Sequence, residues 1–262
     1  MGDILIISLT GHRVLVTGAS SGLGAHFARA LSAEGAQVAV AARRVDRLEA
    51  LVNEISGAGG RAAAIEMDVA DARSVGEGVS AAERELGGLT GLVNNAGVAH
   101  GGLALETSDE AWRRTMAVNV DGAFRVARRV AQGMIDRGVR DEDPGGAIVN
   151  IASILGKRVS NGVAAYCASK AAIDHLTRAL ALEWARENIR VNALAPGYFP
   201  SELTADHLTG ESGERQRKMI PMRRFGRLED LDGPLLLLMS SAGAYMTGAT
   251  IAVDGGHLVS PL

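Results

Sequence analysis

The sequence predicts an α/β fold in which a doubly wound, seven-stranded parallel sheet carries helices on both faces. Short β-branched or aliphatic runs alternate with longer helical patterns along the chain, which is typical of repeated βαβ units. Glycine-rich or small-residue segments follow several of these runs. In such a sheet, right-handed crossovers place a ligand crevice at the carboxyl ends of the strands, where the strand order reverses.

The predicted elements follow one another in a regular order. Helical patterns cover residues 22–34 and 45–56, between the first three strands. Turn residues or helical segments bound each strand candidate. The seven strand candidates are residues 12–17, 36–42, 62–66, 89–94, 147–152, 189–194 and 250–253.

Length and composition favour one globular domain. The chain has 262 residues, a length at which α/β folds are commonly single units, so we expect one domain over residues 1–262. Hydrophobic residues make up 47% and charged residues 22%, which is ordinary globular usage. A net charge of −3 provides no general attraction for nucleic acid or anionic lipid. The expected partners are therefore small molecules, with no nucleic acid and no membrane.

Cysteine and histidine usage exclude two classes of site. The single cysteine, Cys167, excludes a disulfide framework or a multi-cysteine metal site within one chain, and it favours a reducing, cytoplasmic location. The six histidines show no metal-ligand spacing, so no metal is expected. No apolar run approaches the roughly 20 residues that span a bilayer. We interpret the apolar start, residues 1–9, as a short strand or arm.

One segment breaks the alternation of strands and helices. Residues 200–221 combine mixed charges and two glycines with three apolar anchors, Leu203, Leu208 and Met219. Such a segment beside a ligand crevice favours a substrate lid.

A glycine-rich turn follows the first predicted strand. From Gly18 it has the spacing G-x-x-x-G-x-G, which differs from the G-x-G-x-x-G dinucleotide fingerprint. Glycines between a strand and a helix let the backbone approach a pyrophosphate, whose charge free N–H groups and the helix dipole stabilise. A plain tight turn is the alternative. The candidate contacts are Gly18, Ser20, Ser21, Gly22, Leu23 and Gly24.

The end of the second predicted strand bears on cofactor choice. It reads Ala41-Ala42-Arg43-Arg44, where an NAD site usually places an acid that bonds the adenosine ribose 2′-hydroxyl. Arg43 would instead form two parallel hydrogen bonds with a 2′-phosphate. The sequence therefore predicts that NADP(H) is favoured, with NAD(H) possible. The alternative is a solvated arginine pair at a helix start.

Further candidate cofactor contacts follow other strands on the same side of the sheet. Small residues there allow close backbone approach, and Asp68 would accept from an adenine amino group. Each position is equally compatible with ordinary turn chemistry. They are Asp68 and Val69 after the third strand, Asn95, Ala96 and Gly97 after the fourth, and Pro196 and Gly197 after the sixth.

Tyr166 and Lys170 lie four residues apart, and Ser153 ends the fifth strand. A helix places positions i and i+4 on one face, so the phenol and the ammonium would point at the same bound molecule and at each other. A nearby ammonium favours the phenolate, so we expect the pKa of Tyr166 to move from about 10 towards working pH.

Together these motifs resemble the short-chain dehydrogenase/reductase family, in its single-domain, ketoreductase-like branch with a Rossmann-like fold. The resemblance runs from about Thr10 to Gly256, with the motifs in family order. The residues that carry it are Thr17 to Gly24, Asn94 to Gly97, Asn119, Ser153, Tyr166, Lys170 and Pro196-Gly197.

The resemblance implies roles for four catalytic residues. Tyr166 would donate a proton to a carbonyl oxygen in reduction or remove it from an alcohol in oxidation, and Lys170 would tune it and bind the nicotinamide ribose. Ser153 would hydrogen-bond the substrate oxygen, and Asn119 would hold a water in a proton relay. The hydride comes from the nicotinamide.

The resemblance also implies contacts and an assembly. Phe199 and Ser201 would lie against the cofactor, with the Ser201 hydroxyl holding the carboxamide. The helix of Tyr166 has a flank of small residues that would let another helix approach closely. The family often assembles through this helix, so we expect a homo-oligomer, a tetramer or a dimer.

The sequence thus predicts an NADP(H)-dependent oxidoreductase that interconverts a ketone and a secondary alcohol, chiefly by reduction. The expected substrate is a 3-oxoacyl thioester or a related carbonyl compound, since the pocket candidates are mainly apolar. The alternatives are an NAD-dependent sugar or polyol dehydrogenase, a sugar-nucleotide epimerase, which usually needs a longer chain, and a non-catalytic dinucleotide-sensing binding protein. The pocket candidates are Ile154, Leu155, Val159, Tyr198, Phe199 and Leu203.

Overall fold

Seven parallel strands form one sheet in the order β3-β2-β1-β4-β5-β6-β7 in the computed structural model, which describes residues 7–202, 204 and 208–260. The order reverses between β1 and β4, so these two strands border the topological switch point. The strands are β1 (Arg13–Thr17), β2 (Gln37–Ala42), β3 (Ala62–Glu66), β4 (Gly91–Asn94), β5 (Gly146–Ile151), β6 (Ile189–Pro196) and β7 (Thr250–Val253).

Helices connect the strands on both faces of the sheet. A π-helical segment, Ala117–Gly122, joins two of them without a break. In the described part of the chain the α-helices are α1 (Gly22–Ala33), α2 (Val45–Gly57), α3 (Ala72–Leu86), α4 (Asp109–Met116), α5 (Ala123–Asp136), α6 (Ala164–Trp184), α7 (Gly210–Met219) and α8 (Asp232–Met239).

The sheet separates two apolar cores because successive strand residues point to opposite faces. Val14 and Val16 of β1 pack with Phe27 of α1 and with side chains of α2 and α8. Leu15, between them, packs on the other face with Val126 and other side chains of α3, α5 and α6. Both faces are therefore covered, as a parallel sheet requires.

A line of buried polar side chains crosses the centre of the sheet. The Thr17 hydroxyl donates to Asn94 Oδ1 at 3.5 Å, Asn94 Nδ2 donates to Asn150 Oδ1 at 3.2 Å, and Asn150 Nδ2 donates to Thr177 Oγ1 at 3.0 Å. These contacts satisfy groups whose burial without partners would be costly. They fix the carboxyl ends of β1, β4 and β5 relative to α6.

The predicted strands and their parallel arrangement are confirmed, with ends that differ by up to two residues. β4 begins at Gly91 rather than at residue 89, and β6 extends to Pro196. A Cβ atom at Gly91 would lie 2.6 Å from Met239 Cε, so a larger residue there would require the end of the buried Met239 side chain to shift.

Two predicted segments lie partly outside the described residues. The apolar start falls mainly on residues 1–6, and residues 7–9 form no strand. The proposed lid, residues 200–221, contains α7, which the sequence analysis did not identify, and Leu203 lies outside the described residues. No helix in the described part of the chain is both long and apolar enough to cross a bilayer.

Candidate active site

The turn between β1 and α1 depends on its glycines. Gly18 and Gly22 have positive φ values of 67° and 55°, a region that side chains disfavour. Gly24 has a different reason, since a Cβ atom there would lie 2.4 Å from the carbonyl oxygen of Gly18. The turn can therefore lie flat against the start of α1, which leaves its outer face to a ligand.

Ser21 precedes α1 without capping it through its side chain. The first N–H groups of a helix have no intrahelical partner, and they carry the positive end of the helix dipole. Here they face the crevice beside the glycine turn, which is an arrangement that favours an anion.

Asn95 ties this turn to the end of β4. Its Nδ2 donates to the carbonyl oxygens of Thr17 at 3.0 Å and Gly18 at 3.3 Å. The Thr17 hydroxyl accepts from the backbone N–H groups of Asn95 and Ala96 at 3.0 and 3.1 Å. Asn95 is thus a structural brace of the turn as well as part of its surface.

These strand ends surround one cavity of about 320 Å³. All predicted site residues line it except Gly24 and Asn119. The predicted residues that line it are Gly18, Ser20, Ser21, Gly22, Leu23, Arg43, Asp68, Val69, Asn95, Ala96, Gly97, Ser153, Tyr166, Lys170, Pro196, Gly197, Phe199 and Ser201.

The donor set of the cavity fits a dinucleotide. One end has the uncapped helix start and the glycine turn for a pyrophosphate, together with basic side chains after β2. The other end has hydroxyl groups and an amine that would meet a ribose and a reacting carbonyl. A cofactor of this shape would span the switch point of the sheet.

Arg43 and Asp68 face each other at the first end. Arg43 Nη1 lies 3.9 Å from Asp68 Oδ2, and the Arg43 side chain is 63% exposed. Asp68 also accepts from the Ala70 backbone N–H at 2.9 Å, so part of its carboxylate stabilises a turn.

Arg44 and Glu202 also line the cavity, although neither is among the site residues predicted from the sequence. Arg44 donates to the hydroxyls of Ser20 and Ser21, and it also contacts Glu202. The pair Arg43-Arg44 at a strand end was a usable signal for Arg44. Nothing in the sequence pattern marked Glu202.

Tyr166, Lys170 and Ser153 meet at the second end. Lys170 Nζ lies 5.6 Å from the centre of the Tyr166 ring and donates to the carbonyl oxygen of Ile151 at 2.7 Å. Ser153 follows β5 by two residues in extended backbone conformation, and its hydroxyl accepts from the Leu155 N–H at 3.1 Å. The helical spacing thus brings the phenol and the amine together, as predicted.

The expected direction of the Tyr166 pKa shift is wrong for the protein alone. Burial raises the pKa of Tyr166 to about 12, and the interaction of the phenol with Ser153 opposes this rise without overcoming it. Burial also lowers the pKa of Lys170 to about 8. Removal from water is therefore the largest cause of both pKa shifts.

Asn119 lies in the π-helical segment, behind the cavity. Its Nδ2 donates to the Val98 carbonyl oxygen and to Ser169 Oγ, both at 2.9 Å, and its Oδ1 accepts from the Val98 N–H at 2.8 Å. With both amide hydrogens used, its side chain has one acceptor position left for a water. π-helical segments often occur at functional sites, and the sequence pattern did not predict this one.

The described candidates for the apolar pocket do not all line this cavity, and Tyr198 lines a second cavity together with Phe199. Of these candidates, Phe199 lines the first cavity, whereas Ile154 is buried in the interior and Val159 is 82% exposed. Leu203 lies outside the described residues. The described cavity lining therefore gives little support to the apolar pocket that argued against a sugar substrate.

The cysteine and the potential metal-ligating side chains form no additional site in the described part of the chain. Cys167 is buried and forms no disulfide, so it packs as a small side chain in the interior. Nowhere in residues 7–202, 204 and 208–260 do three His, Cys, Asp or Glu side chains gather as they would around a metal ion.

Comparisons with known proteins agree on one group of relatives. The model of a protein family described as enoyl-(acyl carrier protein) reductase matches residues 18–257. A galactitol 2-dehydrogenase (L-tagatose-forming) from Cereibacter sphaeroides is 41% identical over 257 residues, which are 97% of this chain and 98% of that protein.

Solved structures that superpose on this chain are also dehydrogenases. A short-chain type dehydrogenase/reductase from Mycobacterium marinum superposes with a TM-score of 0.89 at 40% identity, over 96% of this chain and 97% of that chain. A gluconate 5-dehydrogenase from Burkholderia cenocepacia J2315, in complex with NADP and tartrate, superposes with a TM-score of 0.92 at 33% identity, over 97% and 98% of the two chains.

Proposed function

We propose a substrate class and a cofactor preference for this chain, which belongs to the short-chain dehydrogenase/reductase family and interconverts an alcohol and a carbonyl compound with a nicotinamide dinucleotide. The proposed substrates are a polyol or sugar acid and the corresponding keto compound. NADP(H) is the proposed favoured cofactor. The meeting of Tyr166, Lys170 and Ser153 at one end of the cavity carries the proposed chemistry.

Each of these residues has a distinct task in the proposal. Tyr166 holds the proton that passes to the carbonyl oxygen in reduction and returns from the alcohol in oxidation. Ser153 hydrogen-bonds the same oxygen and fixes its position near the phenol. Lys170, held by the Ile151 carbonyl oxygen, orients its amine toward the cofactor ribose. The bound nicotinamide supplies or accepts the hydride. Asn119 would connect Lys170 to a bound water.

The cofactor preference rests on the charges after β2. Arg43 and Arg44 both line the cavity, and they stand directly after β2, where the sequence has no acidic residue. A planar guanidinium recognises a phosphate through two parallel hydrogen bonds, which a ribose hydroxyl cannot accept equally. The gluconate 5-dehydrogenase that resembles this chain was solved with NADP, which supports the same preference.

The substrate class rests on two supports. The galactitol and gluconate dehydrogenases among the relatives act on polyhydroxylated compounds by name. Of the described candidates for the apolar pocket that argued against such substrates, only Phe199 lines the cavity. A 3-oxoacyl thioester remains the second candidate, because the matching family model is described as enoyl-(acyl carrier protein) reductase, a name that also refers to a carrier-bound acyl thioester. Because the chain is an enzyme, the binding-protein alternative is set aside.

We expect activity assays to separate these candidates. Reduced-nicotinamide absorbance would be followed in both directions, with NADP(H) and NAD(H), against galactitol, gluconate and other polyols, their keto forms, and 3-oxoacyl thioesters. The expected result is turnover of a polyhydroxylated pair with NADP(H), reduced at least about 100-fold in Tyr166→Phe because the proton donor is lost. Arg43→Ala should weaken NADPH binding about tenfold or more while changing NADH binding little.

Tyr245→Phe is the matched control for the catalytic variant. Tyr245 is fully exposed, so the same chemical change there should leave every rate unaltered. Turnover confined to the thioesters would contradict the polyol proposal. Equal affinities for NADPH and NADH, unaffected by Arg43→Ala, would contradict the cofactor proposal.

The assembly and location are part of the same proposal. We expect a homo-oligomer, a tetramer or a dimer, since Trp112 on α4 and Phe124 on α5 are large apolar side chains with 42% and 37% of their surface exposed. A monomeric mass in light scattering at micromolar concentration would contradict this. The cytoplasmic location stays a prediction from the single cysteine, and fractionation of cells would test it.

A further inference from the structure

A cluster of charged groups, which we call the Glu202 cluster, consists of Glu202, Arg44 and Arg47 with the hydroxyls of Ser20 and Ser21. Arg44 Nη2 donates to Ser20 Oγ at 2.9 Å and to Ser21 Oγ at 2.8 Å, and its Nη1 donates to Glu202 Oε2 at 3.2 Å. Arg47 Nη1 donates to the other carboxylate oxygen, Glu202 Oε1, at 2.5 Å. One carboxylate therefore bridges two guanidinium groups.

The cluster connects the two sides of the cofactor cavity. Ser20 and Ser21 belong to the glycine-rich turn, Arg44 and Arg47 to the start of α2, and Glu202 to the segment after β6. Ser20, Ser21, Arg44 and Glu202 all line the cavity. The Glu202 carboxylate thus occupies the same end of the cavity as Arg43, where the 2′-phosphate is proposed to bind.

The carboxylate is an anion at every working pH, because its hydrogen bonds with Arg47, Ser21 and Arg44 hold the pKa of Glu202 at about 2. Its oxygens accept from Arg44 and Arg47 in the way that phosphate oxygens accept from arginines. A phosphate group that enters this end of the cavity would meet the same donors and would be repelled by the carboxylate. Glu202 and the phosphate therefore cannot both use Arg44 fully.

We propose that Glu202 is a specificity-determining residue that competes internally with the adenosine 2′-phosphate for Arg44, and so lowers the preference for the phosphorylated cofactor. This inference rests on the proposed NADP(H) preference. It predicts that the chain binds the 2′-phosphate less tightly than Arg43, Arg44 and Arg47 would bind it if Glu202 carried no charge. Because the three side chains of Arg44, Arg47 and Glu202 are 43%, 45% and 57% exposed, the effect is moderate and screened by salt.

The test measures binding with two probes that differ only in the group at issue, adenosine 2′,5′-bisphosphate and adenosine 5′-monophosphate, by calorimetry on the intact protein. In Glu202→Gln the side chain keeps its size and loses its charge. We expect the dissociation constant for the bisphosphate to fall about threefold to tenfold, and that for the monophosphate to change less than about twofold. At high ionic strength this difference should shrink.

Glu54→Gln is the matched control. Glu54 forms a similarly exposed ion pair with Arg29, at 2.7 and 2.8 Å, away from the cavity, so its neutralisation should change neither affinity. A second variant tests the route of the effect. In an Arg44→Met background the Glu202→Gln change should improve bisphosphate binding less than it does with Arg44 present, because the shared partner is gone.

The binding results distinguish failure of the Glu202 competition from failure of the proposed NADP(H) preference. If the unaltered protein prefers the bisphosphate and Glu202→Gln leaves that preference unchanged or weakens it, the competition is refuted while the cofactor proposal stands. If the unaltered protein and Glu202→Gln both bind the two probes equally, both proposals fail. An equal gain for both probes would show a general charge effect and would also overturn the competition.

Discussion

At the scale of single residues, the state of Tyr166 controls the expected pH dependence. A pKa of about 12 means that the phenol keeps its proton throughout the physiological range. The protonated phenol that donates to the carbonyl in reduction is therefore the main form of Tyr166. The phenolate that accepts the alcohol proton in oxidation is a minor form. The two directions of one reaction should respond differently to pH.

We expect alcohol oxidation to accelerate with pH by up to about tenfold per unit, because the phenolate fraction grows tenfold per unit below the pKa. Carbonyl reduction should stay nearly constant between about pH 6 and about pH 9, where the phenol remains protonated. Above about pH 8 the oxidation profile should become shallower. The pKa of Lys170 is lowered to about 8, and its neutral amine no longer stabilises the phenolate.

Initial rates of kcat/KM in both directions, measured in one buffer series at constant ionic strength, check this prediction. Stability of the protein over the series would be confirmed by incubation and return to neutral pH. An oxidation rate independent of pH would contradict it, since it would require a base other than a high-pKa phenol.

Motif residues could be predicted from the sequence because their spacing follows from backbone geometry. Tyr166 and Lys170 had to share a helix face, and Gly18 had to lie in a strand-to-helix turn. Glu202 is different, because its partners Arg44 and Arg47 are 158 and 155 residues away along the chain. The pKa direction of Tyr166 was also beyond the sequence, since it depends on how completely the fold removes the phenol from water.

At the scale of elements, Gly24 shows how one position couples the first turn to cofactor binding. In Gly24→Ala the added Cβ would lie 2.4 Å from the carbonyl oxygen of Gly18, which is backbone and cannot move alone. We expect a loss of about 1–3 kcal/mol in the free energy of unfolding, the usual cost of overpacking. Dinucleotide binding should weaken at least about tenfold, because the turn must shift away from the pyrophosphate position.

Gly57→Ala is the control for this substitution. Gly57 ends α2, and an added Cβ would meet no atom within 4 Å. The change should leave cofactor binding intact and stabilise the protein by up to about 1 kcal/mol, since alanine has the higher helix propensity. Urea unfolding and calorimetric titration of both variants give the comparison. Equal binding by the two variants would show that Gly24 is not needed for the shape of the turn.

The strands could be predicted because buried parallel strands are short apolar runs with turn residues at both ends. The π-helical segment Ala117–Gly122 could not, because a widened turn inside a continuous helix leaves no mark on apolar periodicity. The helix α7 was missed for another reason. Its sequence, GESGERQRKM, is almost entirely polar, and it buries only Gly213.

At the scale of the whole molecule, one sheet serves two cores. Val14 and Val16 belong to the core on one face, and Leu15 belongs to the other, so neither core exists without the same strand. The buried contacts of Asn94 and Asn150 add a polar tie inside the sheet. The two cores should therefore fold and unfold together, as expected for the predicted single domain.

We expect one cooperative unfolding transition for the chain, at the same temperature by far-ultraviolet and near-ultraviolet circular dichroism. Trp112 and Trp184 report tertiary structure near α4 and at the end of α6, whereas the far-ultraviolet signal reports all helices. Saturating adenosine 2′,5′-bisphosphate should raise the whole transition, by about 2.7 kcal/mol of added stability at a hundredfold excess over its dissociation constant. Two separate transitions, or a ligand that moves only one of the two signals, would show that the halves of the chain fold independently. In an oligomer the midpoint would also rise with protein concentration, so the experiment is run over a concentration series.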